Sequence, residues 1–198
     1  MPSGSSCHTL SRSIAPVLVL AMLSAEAFAQ AVTLAELAGS IVEADIHRRQ
    51  IMQRKGPQFT IQTHQNWKLD INADNTIDVV VNTTVQGARG TRKAPPNAGR
   101  FTLEQVREVR NRGGGQGIWS FADEALHFTR TFPSGAYRAH FTFTRGAAGI
   151  SCNVTEAFAR EDGNKPISLD SAFGDGPVTM IESQQEPSDC RVSPGKAQ

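Results

Sequence analysis

The clearest pattern along the chain is alternation of apolar and polar residues, the period of a half-buried β-strand. Over residues 59–71, Phe59, Ile61, Trp67, Leu69 and Ile71 share one face, and Thr60, Gln62, His64, Asn66, Lys68 and Asp70 share the other. Ala73-Asp74-Asn75 reads as a three-residue hairpin loop in which Asn75 suits the left-handed conformation. That loop sets Ile71 opposite Ile77, Leu69 opposite Val79 and Trp67 opposite Val81, so turn length and apolar pattern agree on one register. Upstream, residues 40–54 predict a strand with Val42, Ala44 and Ile46 on one face. Before it, Thr33-Leu34-Ala35-Glu36 has capping-box spacing and Gly39 suits a helix stop, which predicts one or two helical turns.

Residues 117–158 hold most of the aromatic side chains. Their alternation predicts four consecutive antiparallel strands, 117–121, 125–132, 136–145 and 150–158. A one-residue slip would turn every side chain to the wrong face, so the connecting loops must be even in length. With turns at Asp123-Glu124, Ser134-Gly135 and 146–149, the inward face forms lateral rows. One contains Trp119, Phe128, Phe141 and Val154, and the next contains Gly117, Arg130, Ala139 and Glu156. Arg130 and Glu156 are then two strand spacings, roughly 10 Å, apart across small Ala139. They are expected to form a buried or half-buried ion pair, either fixing strand register or anchoring a ligand.

The rest of the chain is less regular. Residues 87–99, with Gly87, Gly90, Pro95-Pro96 and Gly99, predict a loop, and 100–103 a short strand followed by irregular chain. Residues 177–183 predict a last edge strand, and the chain beyond about Val192 is expected to be disordered. The fold class is therefore all-β: an antiparallel up-and-down meander of about eight strands with a short N-terminal helix. Its two possible forms are a barrel of lipocalin-like size and a two-layer sandwich, and the barrel is the expected one.

Arg12, the apolar run 14–23 and Ala27-Phe28-Ala29 have the layout of a secretory signal peptide, placing cleavage after Ala29. Residues 1–29 are read as that signal and 30–198 as a single β-rich domain with an ordered core over 33–192. The apolar run is shorter than the roughly 20 residues of a spanning helix, so no membrane span is expected. The mature chain keeps Cys152 and Cys190, which in an exported protein most simply form one disulfide. The formal net charge of +1 gives no general pull toward nucleic acid or membrane. The distribution is uneven: residues 87–117 carry seven basic and two acidic side chains, and residues 153–190 carry eight acidic and two basic.

Candidate chemistry is sparse. His127 and His140 share an outward face as diagonal neighbours, roughly 7 Å apart, with no third metal ligand near them. His47 and His64 sit among polar residues. No Gly-x-Ser-x-Gly elbow, EF-hand spacing or phosphate-loop lysine occurs, and Gly113-Gly114-Gly115 follows no apolar strand. No cofactor, metal site or catalytic residue is expected.

The order Trp119-x-Phe121, Leu126, Arg130, Ser134-Gly135, Phe141-x-Phe143, Gly149-Ile150-x-Cys152 and Arg160-Glu161-Asp162-Gly163 resembles small secreted β-rich proteins of alphaproteobacteria. The resemblance implies a periplasmic location and carries no activity. The sequence therefore points to a non-enzymatic periplasmic or secreted module. It would bind a small apolar ligand or envelope component through Arg130, Glu156, Trp119, Phe128 and Phe141. The alternative is a protein–protein module presenting its basic 87–117 loops to an acidic partner; a hydrolase would need converging titratable groups that the sequence does not display.

Overall fold

A computed structural model describes residues 31–108, 116–132, 135–160, 167–170 and 177–195. The proposed signal segment 1–29 lies outside them. Among the described residues a one-turn helix α1 (Leu34–Leu37) precedes thirteen strands. In chain order these are β1 (Ser40–Gln53), β2 (Gln58–Ile71), β3 (Thr76–Gly87), β4 (Gly90–Lys93), β5 (Asn97–Thr102) and β6 (Arg107–Glu108). They continue with β7 (Gln116–Ala122), β8 (Ala125–Phe132), β9 (Gly135–Gly146), β10 (Gly149–Arg160), β11 (Ile167–Asp170), β12 (Pro177–Gln185) and β13 (Asp189–Pro194).

The capping box forms as the sequence predicts. The Glu36 carboxylate accepts the Thr33 backbone N–H at 2.9 Å, and Gly39 takes a φ of 77° that lets the chain leave the helix into β1. The β2–β3 hairpin also has the predicted register, with Trp67 opposite Val81, Leu69 opposite Val79 and Ile71 opposite Ile77. Asn75 takes a φ of 60° at the loop, and Asp74 Oδ1 accepts the Thr76 N–H at 3.1 Å to close it.

The strands form two open antiparallel sheets, not a closed barrel. The larger has the order β11-β12-β1-β2-β3-β4, with β13 also pairing β1 and β5 also pairing β3. The smaller is the meander β10-β9-β8-β7-β6. A barrel would need a continuous ladder across both seams, and neither seam has one. On one side the chain leaves β5 and turns at Glu104, whose φ is 62°. Its N–H donates to the Trp119 carbonyl at 2.7 Å before β6 starts in the other sheet. On the other side β10 meets β12 and β13 through a disulfide and side chains.

The predicted loop over 87–99 and the tail expected to be disordered both contain strand. The 87–99 segment folds into β4 and the start of β5, because both pair back along the outer side of β3. The last edge strand is not an edge: β12 lies between β11 and β1. The tail continues through β13 to Pro194, past Val192, because Ser40 to Asp45 of β1 supply it a ladder partner.

The main core fills the space between the sheets, with a smaller cluster of Met52, Val178 and Met180 beside it. Val42, Ala44, Ile46, Leu69, Ile71 and Ile77 of the larger sheet meet Trp119, Leu126, Ala139, Phe141 and Phe143 of the smaller. Trp67 is its centre, within 6.4 Å, centroid to centroid, of the rings of Trp119, Phe128, Tyr137 and Phe141. Its indole N–H is satisfied by Gln65 Oε1 at 3.1 Å on the same strand face.

Candidate functional site

The inward face of β1 does not stay apolar. The alternation Val42, Ala44, Ile46 continues as Arg48, Gln50 and Met52, and Arg48 and Gln50 are as buried as the methionine. Gln50 is satisfied locally: Thr63 Oγ1 donates to its Oε1 at 2.8 Å, and its Nε2 reaches Met180 Sδ at 3.2 Å. Arg48 reaches across the sandwich. Its Nε lies 3.3 Å from Glu156 Oε2 of β10, with side-chain exposures of only 6% and 2%. Its guanidinium sits 5.7 Å from the Tyr137 ring centroid and 5.6 Å from that of Phe158, so aromatic faces supply part of the lost hydration. Tyr137 O–H donates to the other Glu156 oxygen. The ion pair is poorly aligned for hydrogen bonding, and neither Arg48 Nε nor Glu156 Oε2 has a hydrogen-bond partner among the described residues.

Burial dominates the electrostatics of this pair. It pushes the Glu156 carboxyl above its usual range, with Arg48 only partly opposing the shift. It also lowers the Arg48 pKa, again with Glu156 opposing. Both shifts run in the direction expected when desolvation exceeds mutual attraction.

Gln185 completes the arrangement from β12, where it pairs with Arg48. Its amide acts as a two-pronged strand mimic on the open edge of β10: Oε1 accepts the Glu156 N–H at 2.7 Å and Nε2 donates to the Val154 carbonyl at 3.0 Å. Ile181 is an extra residue on β12, since Ile51 pairs with Glu182 and Met52 with Met180. That bulge lets both Gln185 and Met180 face inward. Four residues on from Glu156 along the β10 edge, Cys152 is bonded to Cys190 of β13, with Cα atoms 5.4 Å apart.

The structure corrects the expected Arg130–Glu156 pair. Glu156 is buried and paired, but with Arg48. The reason is register in the β8–β9 hairpin, where Phe132 pairs with Gly135 and leaves only two residues between the strands. The expected rows, with Phe128 beside Phe141 and Arg130 beside Ala139, need two more residues between these strands. The shorter turn keeps every face and moves each row by two residues. Arg130 therefore stands beside Gly117 and Tyr137, while Glu156 is beside Ala139 and Phe128 is next along that row. Arg130 is half-buried, and burial lowers its pKa. Trp119, Phe128 and Phe141 all lie in the inter-sheet core. A cavity of about 50 Å³ adjoins Trp119 and Phe128 but not Phe141, and is lined also by Trp67, Val79, Asn97 and Phe101 among others.

The outer faces carry two histidine pairs, each directly opposed across a ladder. His47 faces His64 on the larger sheet, with rings 4.4 Å apart and nearly parallel. His127 faces His140 on the smaller sheet at 4.6 Å; the same two-residue shift replaces the expected diagonal. Among the described residues no cluster of three or more metal-ligating side chains occurs, and no helix is long and apolar enough to cross a membrane. At the open edge of the larger sheet, Arg89, Arg92 and Lys93 around β4 are all exposed. Arg100 is held by Asp78, with Nε to Oδ1 at 2.7 Å, and Arg107 lies over the Phe101 ring at 5.4 Å.

The chain was compared with protein-family models, curated proteins and solved structures, and matches none of them.

Proposed function

We propose that the protein is a non-catalytic, exported β-sandwich that docks a negatively charged protein or envelope partner along the basic open edge of its larger sheet. The observation that carries this reading is the placement of Arg89, Arg92 and Lys93 around β4, the outermost strand on that side. An edge strand can extend its ladder into a partner while its side chains choose the partner by charge. Export is supported by the signal-like pattern over 1–29 and by the Cys152–Cys190 disulfide. The non-catalytic part is supported by the Glu156 carboxyl: its pKa is raised, but its side chain is 2% exposed and out of reach of a substrate.

A small apolar ligand held by Arg130, Glu156, Trp119, Phe128 and Phe141 is the less favoured reading. The side chains that would line its site already pack on Trp67 and Arg48. The adjoining cavity of about 50 Å³ is well below the roughly 300 Å³ at which small-molecule pockets begin.

The test is capture of partners by mature protein across a salt series, beside an Arg89→Glu/Arg92→Glu/Lys93→Glu variant, with native mass spectrometry of the purified protein. The expected result is a partner released by salt and lost in the variant. Charged edges also stop copies of one chain from pairing with each other. A variant that self-associates while retaining the partner assigns the basic residues to that protective role and overturns the proposal. A small molecule co-purifying in stoichiometric amount would replace it with the ligand reading.

A further inference from the structure

We propose that His47 and His64, backed by Asp45, form a two-imidazole binding site for Cu(II) on the outer face of the larger sheet. Three observations carry it. The first is position: the two residues are direct cross-strand partners in the β1–β2 ladder, which brings Cβ atoms within about 5.5 Å. Their rings are 4.4 Å apart and inclined by only 4°. A metal–imidazole bond is about 2.0 Å, so two nitrogens bound at adjacent corners of one ion lie about 3 Å apart. Parallel rings hold their lone pairs in parallel planes, so binding one ion requires the two half-buried rings to swing out of the stack toward each other.

The second observation is the support behind the ring. His64 Nε2 lies 2.9 Å from Asp45 Oδ1. Asp45 is itself fixed by Asn66 Nδ2 at 3.1 Å. A carboxylate that takes the N–H of one ring nitrogen leaves the other nitrogen as a bare lone pair and makes it more basic. This is the supporting contact that metal-binding histidines use.

The third is the electrostatic contrast with the other pair. His127 Nε2 lies 3.1 Å from the Ala122 carbonyl, so it too has one nitrogen engaged. Among the described residues no carboxylate backs it, and Arg138 shares that face. The positive charge opposes a dication, just as it helps burial and His127 to lower the His140 pKa. A directly opposed histidine pair thus occurs twice among the described residues, stacked with an anion behind it in one case and edge-on with a cation beside it in the other.

Two imidazoles with open remaining positions suit Cu(II), which leads the affinity order of the divalent first-row metals and accepts square or tetragonal nitrogen–oxygen sets completed by water. Zinc sites ordinarily take three or four protein ligands, and Asp45 is committed to His64 rather than free to be a third.

The experiment is Cu(II) titration of tag-free mature protein by calorimetry, with electron paramagnetic resonance of the one-equivalent sample. Expected is a first equivalent bound through two nitrogens. His47→Ala and His64→Ala should each weaken it at least tenfold and remove one nitrogen. Asp45→Asn should weaken it about tenfold and keep both nitrogens. His140→Ala should leave it unchanged. If a variant loses its far-ultraviolet circular dichroism, the wild-type protein still decides the matter: substoichiometric Cu(II) must broaden amide resonances around His47 and His64 first. First broadening elsewhere, or a first equivalent unaffected by His64→Ala, overturns the site.

Discussion

Arg48→Met tests the buried pair most directly. Methionine keeps the apolar stem and removes the cation, leaving the Glu156 carboxyl facing Tyr137 and Phe158 at 2% side-chain exposure. Removing one partner of a buried pair costs about 3–5 kcal/mol, because the other charge is left without compensation. At a urea m-value of roughly 2 kcal/mol/M that lowers the unfolding midpoint by about 2 M. Adding Glu156→Leu should recover most of this loss, since desolvation already outweighs attraction for both members of the pair. It will not recover all of it, because Tyr137 O–H then loses its acceptor, at about 1–3 kcal/mol. Tyr137→Phe on the double background should return that part. The pH dependence has a fixed sign. The folded pKa of Glu156 is raised above its ordinary value of 4.5, so its contribution is fully present below pH 4.5 and is lost as pH rises through the folded value. Without Arg48 the loss is larger, so the Arg48→Met deficit should narrow as pH is lowered toward 4.5. The assay is urea unfolding followed by tryptophan fluorescence with the disulfide intact. Additive effects of Arg48→Met and Glu156→Leu, or an Arg48→Met cost below about 1 kcal/mol, would refute this account of the pair.

Further outcomes follow from the same geometry. Replacing both Cys152 and Cys190 by alanine opens a 38-residue span and should cost about 4 kcal/mol in the chain-entropy model, read as a lower unfolding midpoint than that of the oxidised protein. Trp67→Ala removes the ring on which four aromatic side chains pack; it should cost about 3–5 kcal/mol and collapse the near-ultraviolet circular dichroism. Gln185→Ala strips two hydrogen bonds from the β10 edge and should cost about 1–3 kcal/mol, with faster amide exchange at Glu156. Asp78 is held below its ordinary value of 3.8, chiefly by the hydrogen bond from Arg100. Its stabilisation is present above pH 3.8 and fades as pH falls through the folded value; Arg100→Gln should flatten that acid limb of the stability curve.

What the sequence reveals depends on how local the determinant is. The β2–β3 register was legible because a three-residue loop and a run of alternating apolar residues independently demand it, down to Trp67 opposite Val81. The β8–β9 hairpin was legible only in part. Alternation fixes whether a loop is odd or even but not its length, so Arg130 was placed on the correct face and in the wrong row. Arg48 had a readable signal: it continues Val42, Ala44 and Ile46 in steps of two, with Met52 beyond it. Its place in the polar run His47-Arg48-Arg49-Gln50 masks that signal. Gln185 had none, because the bulge at Ile181 that turns it inward is a property of the pairing with β1. The two-layer sandwich was one of the two forms the pattern allowed, but the pairing that builds it was out of reach: the β1–β13 ladder joins segments far apart in the chain, and Cys190 pointed only to Cys152 of β10.

That ladder has a consequence for how the molecule comes into being. β1 is the first strand made, and along one side it is completed only by β12 and β13, the last two. Whether the polypeptide emerges from a ribosome or crosses a membrane N-terminus first, one flank of β1 stays without a neighbour until β12 and β13 have arrived. Distant pairing of this kind slows folding. It also keeps the emerging chain loose enough to be threaded, with Arg48 in water until its carboxylate partner exists. Maturation should therefore proceed as a late, nearly all-or-none closure sealed by the disulfide. A chain cut short before β12 should be a target for proteases rather than a smaller folded unit.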